Sequence, residues 1–349
     1  MSPFSLEAPL STARDHQECR AAIRMGSRTF YAASKLLPRS VRRPAFGLYA
    51  FCRLSDDAVD IGTGSLEALE RLRVRLARAG EGRPLPFAAD RAMADLMRRH
   101  AVPRAIPEAL LEGLAWDADG RRFETLEDLH DYAARVAGTV GVMMTLLMGV
   151  REPEALARAC DLGVAMQLTN IARDVGEDAR NGRIYLPLQW MRAAGIDPQS
   201  FIADPKPGAA LSGLIRRLLV EADRLYANSR SGIAALPAAC RPAIMAAALI
   251  YAEIGREVER REYDCVTQRA RVSGKRKLSL LARATAEAIR LRCEKPSPPS
   301  AATAFLVDAV KQSRLAPTPP LPAIDAIRLS ILRVLKIFER LERAEQFGD

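Results

Sequence analysis

The residues best able to do chemistry in this chain are aspartates in two stretches, LYAFCRLSDDAVD (residues 48–60) and QLTNIARDVGEDARNGRIYLP (residues 167–187). Each sets two aspartates four residues apart, Asp56 with Asp60 and Asp174 with Asp178. On a helix that spacing stacks the carboxylates on one face. At about 100° per residue, Tyr49, Arg53, Asp56 and Asp60 fall on one narrow stripe with Asp57 at its edge, and Gln167, Asn170, Asp174 and Asp178 fall on another. A solvated helix face would account for either stretch alone. Two such faces turned toward each other would bring four carboxylates to one cavity, where they repel and lose hydration, so stability does not explain them. Divalent cations would. Mg²⁺ takes oxygen ligands, keeps several waters and holds substrate phosphates beside one or two carboxylates. The implied substrate is a polyanion, most simply a diphosphate.

The bulk sequence narrows the alternatives. The chain has 349 residues, 49% of them hydrophobic and 5% aromatic, and a formal net charge of +10. That composition supports a sizeable helical core with a basic surface. No nucleic acid partner is expected, because no RNP-type aromatic motif, zinc-finger spacing or basic-leucine pattern occurs. Six cysteines (Cys19, Cys52, Cys160, Cys240, Cys265, Cys293) are scattered without CxxC pairs, as in a reducing cytoplasm. Three histidines form no ligand-like pair, which argues against zinc. No signal peptide is expected, and the longest uncharged run, 136–150, is too short to span a bilayer. Its Gly138 and Gly141 would let another helix or a ligand come close.

The elements that must hold the two acidic stretches read as helices almost throughout, with no convincing strand. The expected helices are 14–36, 44–61, 65–79, 88–100, 103–115, 125–149, 153–177, 208–235, 241–262 and 279–292. Residues 116–123 read as a loop or helix end. Thr125 and Asp128 offer a capping-box start. Proline-rich segments after residue 294 bracket a short helix and precede an amphipathic one over 324–344. That last helix is expected to dock on the body of the protein or on an oligomer partner, with an anionic membrane surface as the alternative. The domain reading is a catalytic all-α domain over 1–293, followed by the proline-rich segments and helices of 294–349.

The motifs SRTFYAASKLLP, LYAFCRLSDDAVD, YAARVAGTVGVMM, QLTNIARDVGEDARNGRIYLP and YDCVTQRARV resemble, in order, those of the squalene and phytoene synthases, bacterial phytoene synthases most closely. The resemblance implies a single-domain, all-α, isoprenoid-synthase-type bundle around a central cavity, with the acidic helices on opposite walls. It implies that Asp56, Asp60, Asp174 and Asp178 hold Mg²⁺ (or Mn²⁺) bridging to substrate diphosphates. Arg53 and Arg173 would serve as diphosphate or carboxylate partners, Gln167 and Asn170 as polar lining, and Tyr49, Tyr132 and Tyr251 as cavity residues. Ser27, Arg28 and Arg269 look like further diphosphate contacts.

The family reaction condenses two prenyl diphosphates head to head through a cyclopropylcarbinyl diphosphate. The implied activity is a prenyltransferase making phytoene from two geranylgeranyl diphosphates. Farnesyl diphosphate, giving squalene or dehydrosqualene, is the alternative. Ser34, small and one turn past Phe30, would leave room for the longer tail. A deep apolar shaft behind a charged mouth would keep water from the carbocation. Rival readings are a chain-elongating prenyltransferase or terpene cyclase, disfavoured by DVGED in place of a second DDxxD, and a catalytically inert helical interaction protein, which should not retain all four aspartates. The expected partners are the prenyl diphosphates and neighbouring enzymes of carotenoid biosynthesis. The expected location is cytoplasmic, peripheral on the inner membrane.

Overall fold

The computed structural model of the chain describes residues 8–60, 65–291 and 298–313. Among them there is no strand; fifteen α-helices and one π-turn make up the regular structure. In order these are α1 (Ala13–Gly26), α2 (Arg28–Ser34), α3 (Arg39–Asp60), α4 (Ser65–Gly80), α5 (Ala88–Arg99), α6 (Ala105–Ala118), α7 (Leu126–Ala133), the π-turn Ala134–Gly138, α8 (Thr139–Leu147), α9 (Pro153–Arg180), α10 (Leu188–Ala193), α11 (Pro198–Ala203), α12 (Ala209–Ala235), α13 (Arg241–Arg260), α14 (Gly274–Arg290) and α15 (Ala301–Gln312).

The longest of these, α9, is the axis of the molecule. At 28 residues it runs for roughly 42 Å. Its first half, Ala155 to Leu162, belongs to a core shared with α1 to α6, α8, α13, α14 and α15. Its second half, Val164 to Ala179, belongs to a core shared with α7 and α10 to α12. A helix buried on most sides cannot be strongly amphipathic, and the α9 sequence alternates Ala, Val, Gly and Leu around its circumference. The small residues let backbones meet. A Cβ on Gly163 would lie 2.4 Å from the Ala137 carbonyl oxygen, and one on Gly141 would lie 2.3 Å from that of Ala159. So Gly141 admits a helix, as expected; Gly138 meets only ordinary contacts.

Several expected boundaries shift, each for a local reason. Residues 14–36 are two helices rather than one. Ser27 takes an extended conformation and its hydroxyl accepts from Phe30 N–H, starting α2 as an N-cap. Helix α3 begins five residues before Pro44, because Val41 and Arg42 N–H bond to the Pro38 carbonyl; the Arg42 side chain also bonds to the Leu37 and Lys35 carbonyls. Residues 116–118 are the end of α6, the helix-end alternative, which runs three residues past the expected boundary. The expected 125–149 helix starts on the Thr125–Asp128 capping box but carries the π-turn, where its backbone meets α9. Residues 188–203 form two short helices where none was expected, and α14 starts at Gly274, capped by Ser273. The helix expected over 324–344 lies outside the described residues.

Helix α15 packs on α6, α7, α8, α9 and the π-turn. Leu306 and Val307 are fully buried. Arg158 Nη2 donates to the Pro298 carbonyl (3.1 Å), and Arg151 Nη2 donates to Ser313 Oγ (2.9 Å).

Candidate active site

One wall of the site is the last two turns of α9. Asp174 sits between two arginines. Arg173 Nε lies 2.8 Å from Asp174 Oδ1, and Arg269 grips both oxygens from Nε (2.8 Å) and Nη2 (3.1 Å). Burial raises the Asp174 pKa, but the two guanidiniums outweigh it and hold the carboxyl below its usual value. Asp178, one turn on, is pushed up to about 7 by burial and then by the negative charge of Asp174. Arg269 reaches this wall because the chain turns sharply out of α13, with Glu262 and Tyr263 at positive φ and Asp264 accepting from Val266 and Thr267 N–H. The segment then lies across Gly176, whose N–H bonds to the Cys265 carbonyl (3.2 Å). A Cβ on Gly176 would fall 2.5 Å from Val266 Cα. Higher on α9, Gln167 and Asn170 are half-buried, and Asn170 Oδ1 is buried without a hydrogen-bond partner.

The other wall is the end of α3. Arg53 Nε donates to Asp57 (3.0 Å) and the guanidinium lies 3.6 Å from Asp56. The side chains of Asp60 and Arg28 lie outside the described residues. Tyr49 faces the α1–α2 break, its hydroxyl so close that a Cβ on Gly26 would lie 2.3 Å from it. Phe30 meets Tyr49 edge-on (6.5 Å) and stacks on Tyr251 of α13 (5.2 Å). Burial pushes the Tyr251 hydroxyl up to about 12. Ser27 spends its hydroxyl on the α2 cap, and Ser34 is buried with its hydroxyl on the Tyr31 carbonyl (2.7 Å).

The two acidic faces are linked electrostatically. Tyr251 feels both Tyr49 on α3 and Asp174 on α9. Asp117, on α6, feels Asp56, and in turn helps raise Asp178. Tyr132 is 3% exposed and donates its hydroxyl to Asp117 Oδ2 (2.8 Å). Phe30 bridges the Tyr49 and Tyr251 rings, and a small hollow against α9 is lined by Ile171, Val175, Asp178 and Tyr185 among others.

No three acidic, histidine or cysteine side chains among the described residues converge on one ion position. What α9 offers is a carboxylate pair, one member raised by burial and by its neighbour's charge, beside an amide oxygen with no partner. That donor set fits Mg²⁺ or Mn²⁺ taking one or two carboxylates and completing its shell with water and phosphate.

Residues 23–276 match the squalene/phytoene synthase family. A phytoene synthase from Rhodobacter capsulatus is 50% identical over 87% of this chain and 92% of its own length. A 15-cis-phytoene synthase from Pantoea ananas is 37% identical over 78% and 93%. The chain belongs to the squalene/phytoene synthase family. Among solved structures, a dehydrosqualene synthase in complex with ligand superposes with a TM-score of 0.73 at 32% identity, covering 79% of this chain and 97% of that one. A squalene synthase from Alicyclobacillus acidocaldarius gives 0.66 at 25% identity, covering 72% and 95%.

Two residues at this squalene/phytoene synthase site were not singled out by sequence. Asp117 stands in WDADG, where two aspartates at a helix end, without the four-residue spacing of the other pairs, give no signal. Tyr185 stands in GRIYLP, in plain view of the second acidic stretch but off its helical stripe. Its hydroxyl also donates to Asp117 (2.7 Å).

Proposed function

We propose that the protein joins two geranylgeranyl diphosphates head to head, through a cyclopropylcarbinyl diphosphate, to phytoene. The observation that supports this most is the α9 wall, where Asp174 lies between the guanidiniums of Arg173 and Arg269 one turn from Asp178. Mg²⁺ or Mn²⁺ held by Asp56, Asp60, Asp174 and Asp178 would supply the positive charge that makes diphosphate a leaving group. Arg53, Arg173 and Arg269 bind the diphosphate oxygens, each already aimed at a carboxylate of the site. Arg28 and Ser27 are further diphosphate contacts on this reading, and Asp57 holds Arg53 in place. Gln167 and Asn170 line the polar end; the Asn170 oxygen accepts from ordered water or orients a ligand there. Phe30, Tyr49 and Tyr251 exclude water and offer π faces to the passing carbocation. The rings part to admit the tails, and Ser34 leaves room beside Phe30.

The test supplies farnesyl and geranylgeranyl diphosphate separately, with Mg²⁺, and identifies the hydrocarbon by chromatography. Phytoene from the C20 substrate is expected, with none after chelation and recovery on adding Mg²⁺ or Mn²⁺. A C30 product from farnesyl diphosphate with none from the C20 substrate would overturn the assignment. It would instead favour the dehydrosqualene-type reaction, to which the likeness in fold also points. Asp56→Ala should cut turnover about a hundredfold or more while circular dichroism is unchanged.

No helix among the described residues is long and apolar enough to cross a membrane. With oily substrates and product, the protein works in peripheral contact with a membrane surface, beside the enzymes that use its product.

A further inference from the structure

Asp117 is a carboxylate whose place in the site needs an account. Its Oδ2 accepts the Tyr132 hydroxyl (2.8 Å) and its Oδ1 accepts the Tyr185 hydroxyl (2.7 Å). The two phenol rings stack at 5.3 Å and 24°, and Phe123 stacks beside both. The helix end carrying Asp117 is fixed by Trp116, held between the guanidiniums of Arg121 (3.8 Å) and Arg135 (4.4 Å). Two phenols donating to one side chain require two acceptor oxygens. A carboxylate has them; an amide of the same shape has one and would have to turn a donor toward the other phenol. The arrangement also fixes what the phenols can offer to anything else. With their protons committed to Asp117, only lone pairs remain.

That is the polarity a carbocation site needs. On the head-to-head reading above, on which this inference rests, the reaction sheds a proton twice: once as the cyclopropane closes, once as the final double bond forms. We infer that Asp117 is the positioning residue behind Tyr132 and Tyr185, and the group on which the shed proton comes to rest. In the ring closure the C–H bond that breaks lies two bonds from the cationic carbon and its electron pair becomes the third side of the cyclopropane; in the final step the C–H beside the cationic carbon breaks and its electron pair becomes the double bond. The proton goes to a phenol oxygen as that phenol passes its own proton to Asp117. The phenol is regenerated, the cation and the carboxylate are both neutralised, and Asp117 returns the proton to water between turnovers. Burial pushes Asp117 up to about 6 against the two tyrosines and Arg183, with Asp56 raising it.

The experiment compares the full-length wild type with Asp117→Asn, Tyr132→Phe, Tyr185→Phe and their combinations. Geranylgeranyl diphosphate is used unlabelled and deuterated at the carbon that sheds the proton. Calorimetry with a non-reacting thiolodiphosphate analogue and Mg²⁺ reports binding. Asp117→Asn should lower kcat about 10²-fold or more with KM and analogue affinity within about threefold, and should enlarge the deuterium isotope effect. Its cost should shrink sharply when the tyrosines are already phenylalanine, since the residues act as one unit. A kcat within about threefold of wild type, costs that multiply independently of both tyrosines, or a loss of analogue binding parallel to the loss of kcat would each overturn the inference. If Asp117→Asn does not fold, the Tyr132→Phe/Tyr185→Phe protein decides alone: retained kcat overturns it, and a loss of 10²-fold or more at unchanged binding supports it. A wild type that makes no hydrocarbon from either prenyl diphosphate would instead sink the head-to-head reading.

Discussion

Asp174 and Asp178 share a face of α9 yet live in opposite electrostatic conditions, one clamped by Arg173 and Arg269, the other raised to about 7. Arg269 is the member most readily tested. Its side chain is 44% exposed, and an ion pair in that position contributes at most about 1 kcal/mol to folding. Arg269→Gln should therefore leave the urea midpoint nearly unchanged while raising KM for the diphosphate about tenfold, the loss of one charge-assisted contact. A large fall in stability with unchanged KM would mean that Arg269 is a strut and not a ligand. The pairing was legible only in part. Arg173 is Asp174's neighbour in sequence, whereas Arg269 lies 95 positions away, and no spacing rule joins them. Asp117 is harder still, because its partners Tyr132 and Tyr185 come from a different helix and a loop.

Elements were more legible than their ends. Helical periodicity, the Thr125–Asp128 box and the prolines place most helices to within a turn. What periodicity does not see is a break in which hydrophobic spacing continues on both sides, as at Ser27, or a π-turn imposed by a neighbour's backbone. Both matter here. The break lets Tyr49 sit against Gly26, and the π-turn follows Tyr132 by one residue. Close backbone contact at Gly163 supports the π-turn. Gly163→Ala should destabilise the protein by about 2–3 kcal/mol in urea unfolding, because the Ala137 carbonyl cannot move aside as a side-chain tip could. Gly176→Ala should act differently. It pushes the segment carrying Arg269 off α9, so turnover should fall more than stability does, as measured by kcat beside the unfolding midpoint.

Across the whole molecule, buried carboxylates give stability an uncommon dependence on pH. Asp117 and Asp161 are raised to about 6 and Asp178 to about 7, each chiefly by burial. A carboxyl whose folded pKa lies above its unfolded one stabilises the fold fully below about pH 4, and that contribution is lost as pH climbs through 6 and 7. Asp15, held low by Arg91 against burial, works the other way and loses its contribution as pH falls below about 4. His100 and His130, held below the usual imidazole value by burial, oppose this in the same window, so the metal-free protein should be more stable near pH 5 than near pH 8 by only about 1–2 kcal/mol. Asp178→Asn should flatten that slope, and millimolar Mg²⁺ should offset the loss at pH 8. Thermal melts across pH, with and without chelator, would measure this; a metal-free melting point that rises steadily from pH 5 to 8 would contradict it.

Helix α15 lies beyond the span of the family match, yet Leu306 and Val307 close the core behind the π-turn. A polypeptide ending at residue 291 would contain every candidate site residue and still forgo about 5 kcal/mol of apolar burial. Translation delivers those residues first and their backing last. A nascent chain therefore holds its whole chemical inventory before α15 can back it, and a stop codon ahead of residue 301 would weaken the fold without touching a single reacting group.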